Sequence, residues 1–156
     1  MRQSLQPSRS LADYSFIHRV RARFAETDAM GVVHHAAYLP YLEEARVAYL
    51  RSIGHPYDAV RAEGPDEDGA AGRDEGSVRE LPVLEVSLQY RKPLYFDDEV
   101  DVSLWVGAVT RTTFQVAYLL SVDGDARATA VTVHGCVDAR GRAARLPAWV
   151  GEEFVR

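Results

Sequence analysis

One helical pattern, followed by four alternating segments, most constrains how this chain can fold. Apolar side chains recur at i, i+3, i+4 and i+7 from Tyr38 to Ile53, which predicts a helix over about residues 37–53. A segment with period two, residues 17–25, precedes it, and four more follow. These four begin near Leu84, Val100, Thr112 and Ala126. A strand, a helix and then four strands in a meander predict an α+β protein in which an antiparallel sheet wraps around one helix.

Length and composition indicate one domain. With 156 residues the chain can bury a core without disulfides, and the single Cys136 has no intrachain partner, which favours a reducing compartment. Residues 1–16 are polar and aperiodic, so we expect a flexible N-terminus before one domain at 17–156. The stretch 64–76 is rich in Gly and acidic residues and is expected to form a mobile loop.

The charge and hydropathy patterns exclude several classes of partner. A net charge of -5 without any basic run argues against nucleic-acid binding. No segment approaches the roughly 18 apolar residues of a membrane span, and the N-terminus lacks the apolar block of a signal peptide. We therefore expect a cytoplasmic protein.

The chemically suggestive residues concentrate between Ala25 and Arg46. Asp28 lies in a loop, Gly31 permits a tight turn, and His35 lies where the helix begins. No Ser, Thr, Asp or Asn caps that start, so its first N–H groups either meet the oxygen of a ligand or are capped by water or a neighbouring loop. A loop carboxylate beside a helix N-terminus suggests an acyl-transfer site.

The motif Glu26-Thr-Asp-Ala-Met-Gly-Val-Val-His-His35, followed by Tyr38-Leu-Pro-Tyr-Leu-Glu-Glu-Ala-Arg46, resembles the signature of the 4-hydroxybenzoyl-CoA thioesterase family. Tyr90-Arg-Lys-Pro-Leu94 and Thr132-Val-His-Gly-Cys-Val-Asp138 resemble later strands of that family. The resemblance implies a hotdog fold, an acyl-CoA substrate with a short-chain or aromatic acyl group, and no cofactor or metal. It also implies a homodimer or homotetramer with active sites at the subunit interface.

The same resemblance assigns the site residues. It implies that Asp28 is the catalytic carboxylate, acting as nucleophile or general base, and that the backbone N–H of His35 polarises the thioester carbonyl. The His35 imidazole is expected to position substrate or water, or to have a structural role. The remaining expected substrate contacts are Gly31, Val32, Tyr38, Arg91 and Lys92, the last two with CoA phosphates.

Three positions depart from the family pattern and keep alternatives open. Many relatives carry tyrosine where Phe24 and His34 stand, and asparagine where Ala37 stands. A noncatalytic acyl-CoA-binding protein on the same fold is the main alternative. A hotdog dehydratase is disfavoured because the motif centres on Asp28 rather than on a histidine and a helix acid. Metal hydrolysis is disfavoured because His-Glu-x-x-His is absent and adjacent His34 and His35 should diverge.

Overall fold

The computed structural model describes residues 3–56, 80–138 and 140–154, so the acidic stretch 64–76 lies outside the described residues. The main elements are β1 (Phe16–Arg21), α1 (Tyr38–Ser52), β2 (Val83–Tyr90), β3 (Glu99–Gly107), β4 (Phe114–Val122), β5 (Asp125–His134) and α2 (Ala148–Glu153). Short 3-10 helices occupy Leu11–Asp13, Phe24–Glu26 and His35–Ala37. The predicted helix and strands are all present, with ends that shift by a few residues.

The sheet has five antiparallel strands in the order β1-β3-β4-β5-β2, and α1 packs across it. The predicted α+β arrangement of one sheet around one helix is therefore confirmed. The predicted four-strand meander is wrong, because β2 pairs with β5 and not with β3. Only the Asp123-Gly124 turn, with φ of 50° and 79°, is tight enough to force its strands together. Residues 91–98, which join β2 to β3, are numerous enough to pass over the end of the sheet, so the two strands need not be neighbours.

The core lies between α1 and the inner face of β3, β4 and β5. The inner face alternates as predicted and contains the fully buried Val102, Leu104, Val116, Tyr118 and Leu120. From α1 it receives Tyr38, Tyr41, Leu42, Ala45 and Leu50. Each buried aliphatic side chain contributes about 1.5–3 kcal/mol relative to exposure. None of the described helices, α1 included, combines the length and the hydropathy that a membrane span needs.

Strand β2 is an edge strand whose apolar side is only partly covered. Leu88 packs against the core, but Leu84 and Val86 remain 50% and 40% exposed. Val86 lies on the side of the strand that Leu88 also uses, because side chains alternate along a strand, whereas Leu84 lies at a register shift between Val83 and Glu85. An uncovered apolar edge of this kind invites pairing with another chain.

Residues 3–15, which the sequence analysis places in a flexible terminus, contact the outer face of the sheet. Tyr14 packs beside Ala117 and Leu119. The Gln115 Oε1 atom accepts hydrogen bonds from the backbone N–H groups of Ser4, at 2.9 Å, and Leu5, at 3.1 Å. Two of these contacts use backbone N–H groups, which any residue supplies, so the sequence of the segment carries little sign of them.

Candidate active site

Asp28 begins a tight turn that returns the chain at Val32. Its N–H donates to the Val32 carbonyl at 2.9 Å, and its own carbonyl accepts from Gly31 at 3.0 Å. Gly31 has φ of 78°, a left-handed conformation that fits the tight turn expected there. The Asp28 Oδ1 atom accepts the Met30 N–H at 2.8 Å, and no described donor reaches Oδ2. The carboxylate is thus oriented through one oxygen while the other is available for chemistry.

The start of the helix follows directly and uses an unexpected cap. His34 is the N-cap of the 3-10 helix, and its Nδ1 atom accepts the Ala36 N–H at 3.1 Å. Because Nδ1 accepts, its proton lies on Nε2. The backbone N–H of His35 donates to no acceptor within the described residues. The His34 side chain therefore caps the Ala36 N–H, a cap that neither alternative in the sequence analysis included, and the His35 N–H keeps no partner among the described residues.

Glu26 ties the Asp28 turn to α1. Its carbonyl accepts the His34 N–H at 2.7 Å, and its Oε1 atom accepts the Tyr41 hydroxyl at 2.8 Å and the Arg23 N–H at 2.8 Å. Burial opposes ionisation of Glu26, but these hydrogen bonds and the Arg23 guanidinium outweigh it and lower its pKa. Burial, followed by the bond to Glu26, raises the pKa of Tyr41 well above its usual range. Sequence reasoning missed both residues, although Glu26 lies two positions before Asp28.

Tyr38 and Tyr90 support the helix start from beneath. Tyr38 is only 3% exposed, and burial raises the pKa of its hydroxyl, so it offers little open surface to a substrate. Its ring packs edge-to-face on Tyr90, with centroids 4.9 Å apart. The Tyr90 hydroxyl donates to the His35 carbonyl at 2.9 Å. Tyr90, which the sequence analysis treats only as a strand residue, therefore helps to fix the orientation of His35.

The two predicted phosphate contacts differ in their surroundings. Lys92 Nζ lies 2.9 Å from Asp125 Oδ1 in an ion pair. Arg91 donates to the neutral Gln89 Oε1 at 3.0 Å and forms no ion pair within the described residues. Both cations follow Tyr90, whose hydroxyl meets His35, so they lie at the same end of the sheet as the helix start. Arg91 is the better placed of the two to bind an added anion.

Exposed apolar side chains surround the Asp28 turn. Phe24 and Phe96 are 76% and 54% exposed and pack edge-to-face with centroids 5.7 Å apart. Met30 is exposed within the turn, and Val32 bridges to Tyr95, which is also exposed. An exposed apolar group of this size is typical of a ligand-binding or subunit surface.

The adjacent histidines do not diverge as expected. The ring centroids of His34 and His35 lie 4.1 Å apart with 33° between the planes. Across residues 3–56, 80–138 and 140–154, no three His, Cys, Asp or Glu side chains cluster closely enough to hold a metal ion. The region therefore combines an exposed histidine pair at a helix start with the nearby sequence turn that carries Asp28.

Comparison with known proteins identifies the family of the chain. The sequence profile described as the thioesterase-like superfamily matches residues 22–154. A 1,4-dihydroxy-2-naphthoyl-CoA hydrolase of Synechococcus elongatus is 33% identical over 132 residues, which are 85% of this chain and 87% of the relative.

Solved structures share the fold. The crystal structure of an Aquifex aeolicus protein matches with a TM-score of 0.77 and 36% identity, over 90% of this chain and 99% of that one. A gentisyl-coenzyme A thioesterase matches with a TM-score of 0.74 over 89% of this chain and 99% of that one, at 20% identity, a likeness in fold alone. The chain therefore belongs to the thioesterase-like superfamily and is a hotdog-fold acyl-CoA thioesterase.

Proposed function

We propose that this thioesterase hydrolyses an aromatic or short-chain acyl-CoA, with Asp28 as nucleophile or general base and the His35 N–H as oxyanion donor. The observation that carries the proposal is the pairing of a carboxylate oriented by the Met30 N–H with a backbone N–H that has no acceptor in the described residues. One well-aimed donor lowers the barrier by about 3 kcal/mol. The leaving thiol has a pKa of roughly 8.5 and needs little help from an acid.

Two routes fit this pair of groups. As a general base, Asp28 takes a proton from water while the water oxygen attacks the carbonyl, after which the C–S bond breaks and the thiolate takes up the proton. As a nucleophile, Asp28 displaces the thiolate and forms an anhydride, which water then hydrolyses. Both consume one water and release the acid and CoA. Label in the Asp28 side chain after a single turnover in ¹⁸O-water identifies the nucleophilic route, in which water attacks the aspartyl carbonyl of the anhydride. Trapping of the acyl group on Asp28 identifies the same route when water attacks the acyl carbonyl instead.

Aromatic acyl groups are the first substrates to test. The Synechococcus relative is named for an aromatic acyl-CoA, and it shares a third of its residues with this chain. The exposed pair Phe24 and Phe96 offers a stacking surface beside the Asp28 turn. A panel of benzoyl, naphthoyl and short aliphatic CoA esters ranks the acyl preference.

The decisive variant is Asp28→Asn, which keeps the shape and removes the charge. We expect kcat for thiol release to fall several hundredfold with the far-UV spectrum unchanged. If the wild-type protein binds CoA esters and hydrolyses none of them, the noncatalytic alternative takes over. Phe24→Tyr and Ala37→Asn are then the first substitutions to try.

The oxyanion donor is tested by His35→Pro against His35→Ala. Both remove the imidazole, but only proline removes the N–H. Proline is tolerated there because His35 is the first helical residue and His34 has φ of -60° and ψ of 139°, the extended conformation that proline requires before it. We expect proline to lower kcat about a hundredfold further than alanine. Equal kcat values for the two variants would show that the His35 N–H is not the oxyanion donor.

We also propose a homodimer formed through the β2 edge, with composite active sites, and further assembly into a tetramer. The support is the uncovered apolar side of β2, which a second copy would bury while pairing the edge. Tyr90, the last residue of β2, donates a hydrogen bond to the His35 carbonyl at the helix start. A second chain that pairs with β2 would therefore lie close to the candidate site. The CoA substrate and the unpaired Cys136 favour a cytoplasmic location.

A further inference from the structure

A small cavity lies between the second half of α1 and the inner face of the sheet. Its volume of about 10 Å³ is room for one particle of the size of a water molecule. Apart from Arg46 and His134, the side chains that line it are aliphatic or aromatic, among them Leu50 and Phe154. Arg46 follows His35 by eleven residues, about 16 Å along a helix, so the cavity is separate from the candidate active site.

Arg46 brings a positive charge to this cavity. It lies four residues after Leu42 and four before Leu50, which are both buried, so its side chain belongs to the inner face of α1. An arginine that enters a protein interior is normally paired with a carboxylate. Within the described residues Arg46 forms no ion pair, and the neighbouring acids Glu43 and Glu44 are exposed.

The polar groups beside Arg46 are neutral and already bonded to one another. His134 Nδ1 lies 3.4 Å from the Leu81 carbonyl, which can only accept, so Nε2 is unprotonated and accepts the Thr132 hydroxyl at 2.8 Å. Thr132 Oγ1 in turn accepts the Tyr118 hydroxyl at 3.2 Å. Burial raises the pKa of Tyr118, and the nearby Arg46 guanidinium opposes that rise. This chain of bonds therefore offers Arg46 a lone pair of Tyr118 but no negative charge.

We propose that the cavity beside Arg46 is a binding site for a chloride ion, which supplies the missing negative charge. Attraction between a guanidinium and an anion is stronger against apolar walls than in water, because the local dielectric constant is lower. The size of the cavity selects the ion, since chloride is only slightly larger than a water molecule, whereas sulfate, phosphate and acyl carboxylates exceed it. The bound ion joins α1 to the sheet and should stabilise the folded protein.

The first test compares urea unfolding in sodium chloride and in sodium gluconate, whose anion is too large for the cavity, at equal sodium concentration. Chloride at ten times its Kd raises the folding equilibrium constant about elevenfold, so the wild-type midpoint should be higher in chloride. Arg46→Gln removes the charge but keeps a hydrogen-bonding group, and it should lose this shift. Arg51→Gln, which removes an exposed charge from the same helix, should keep the wild-type shift.

The second test locates the ion in crystals of the wild-type protein grown with sodium bromide. We expect an anomalous difference peak beside the Arg46 guanidinium. Absence of that peak, or an Arg46→Gln shift equal to that of the wild type, would overturn the proposal. A peak without a wild-type shift would indicate an adventitious ion only and would also reject it. The two wild-type measurements decide the question even if Arg46→Gln does not fold, and neither depends on catalysis.

Discussion

At the scale of residues, single hydrogen bonds determine how the Asp28 turn is held against α1. Tyr41 donates to the ionised Glu26, and Glu26 in turn holds the His34 N–H, so one phenol links α1 to the turn. We expect Tyr41→Phe to lower the free energy of unfolding by about 1.5 kcal/mol, because a hydrogen bond to a charged group is lost. It should also lower kcat roughly tenfold, since the turn becomes less well positioned. Urea unfolding and thiol release measure the two effects.

The matched control is Tyr95→Phe. Tyr95 is half-exposed, and its hydroxyl forms no hydrogen bond within the described residues. The free energy of unfolding should therefore change little in Tyr95→Phe. Equal losses for the two variants would show that the Glu26 bond has no special role.

A second prediction at this scale concerns Arg91. Because its guanidinium has only a neutral partner, Arg91→Ala should raise KM for acyl-CoA about tenfold, whereas Lys92→Ala, already paired with Asp125, should raise it less. Acyl-pantetheine esters, which lack phosphate, provide the control substrate. If Arg91→Ala impairs both substrates equally, the side chain does not bind phosphate.

At the scale of elements, the periodicity of apolar residues predicted the helix and the strands, because each depends on residues close together in the sequence. The alternation of apolar and polar residues from Leu84 to Tyr90 predicted β2, and the apolar stripe from Tyr38 to Ile53 predicted α1, because each pattern shows which face is buried. The partner of β2 could not be read, since an eight-residue link does not fix pairing as a two-residue turn does. The candidate site was predictable in part: the Gly31 turn came from local conformation, whereas the His34 cap and the Glu26–Tyr41 bond depend on side chains that only the fold brings together.

The β2 edge supplies the prediction that belongs to an element. Val86→Arg puts a charge in the middle of its uncovered apolar side, so the proposed dimer should dissociate and kcat/KM should fall at low protein concentration. Light scattering across dilutions measures the mass. The matched control is Gln89→Arg, an exposed position on the opposite side of the same strand. A Val86→Arg protein with the wild-type mass would place the subunit interface elsewhere.

For the whole molecule, the buried His134 determines how stability responds to pH between about 6.5 and 5. His134 is fully buried, its Nε2 lies 2.8 Å from Thr132 Oγ1, and Phe114 stacks on its ring. Burial, and then the positive charge of Arg46, lower the pKa of His134 to about 3, against the weaker opposing effect of the Leu81 carbonyl. The folded protein therefore keeps this imidazole neutral at a pH where the unfolded chain binds a proton.

The lower pKa of His134 in the folded state determines the direction in which stability changes with pH. Well above a pH of about 6.5 neither state is protonated at His134. As the pH falls through that value only the unfolded state gains the proton, so the free energy of unfolding decreases. The slope approaches about 1.4 kcal/mol per pH unit well below pH 6.5, and the loss between pH 6.5 and 5 amounts to about 1.6 kcal/mol. Urea unfolding at fixed protein concentration should show this loss in wild type and in His35→Ala, whose imidazole is exposed. His134→Gln should be nearly flat over the same window, whatever its absolute stability, and an unchanged slope in that variant would assign the pH dependence to another group.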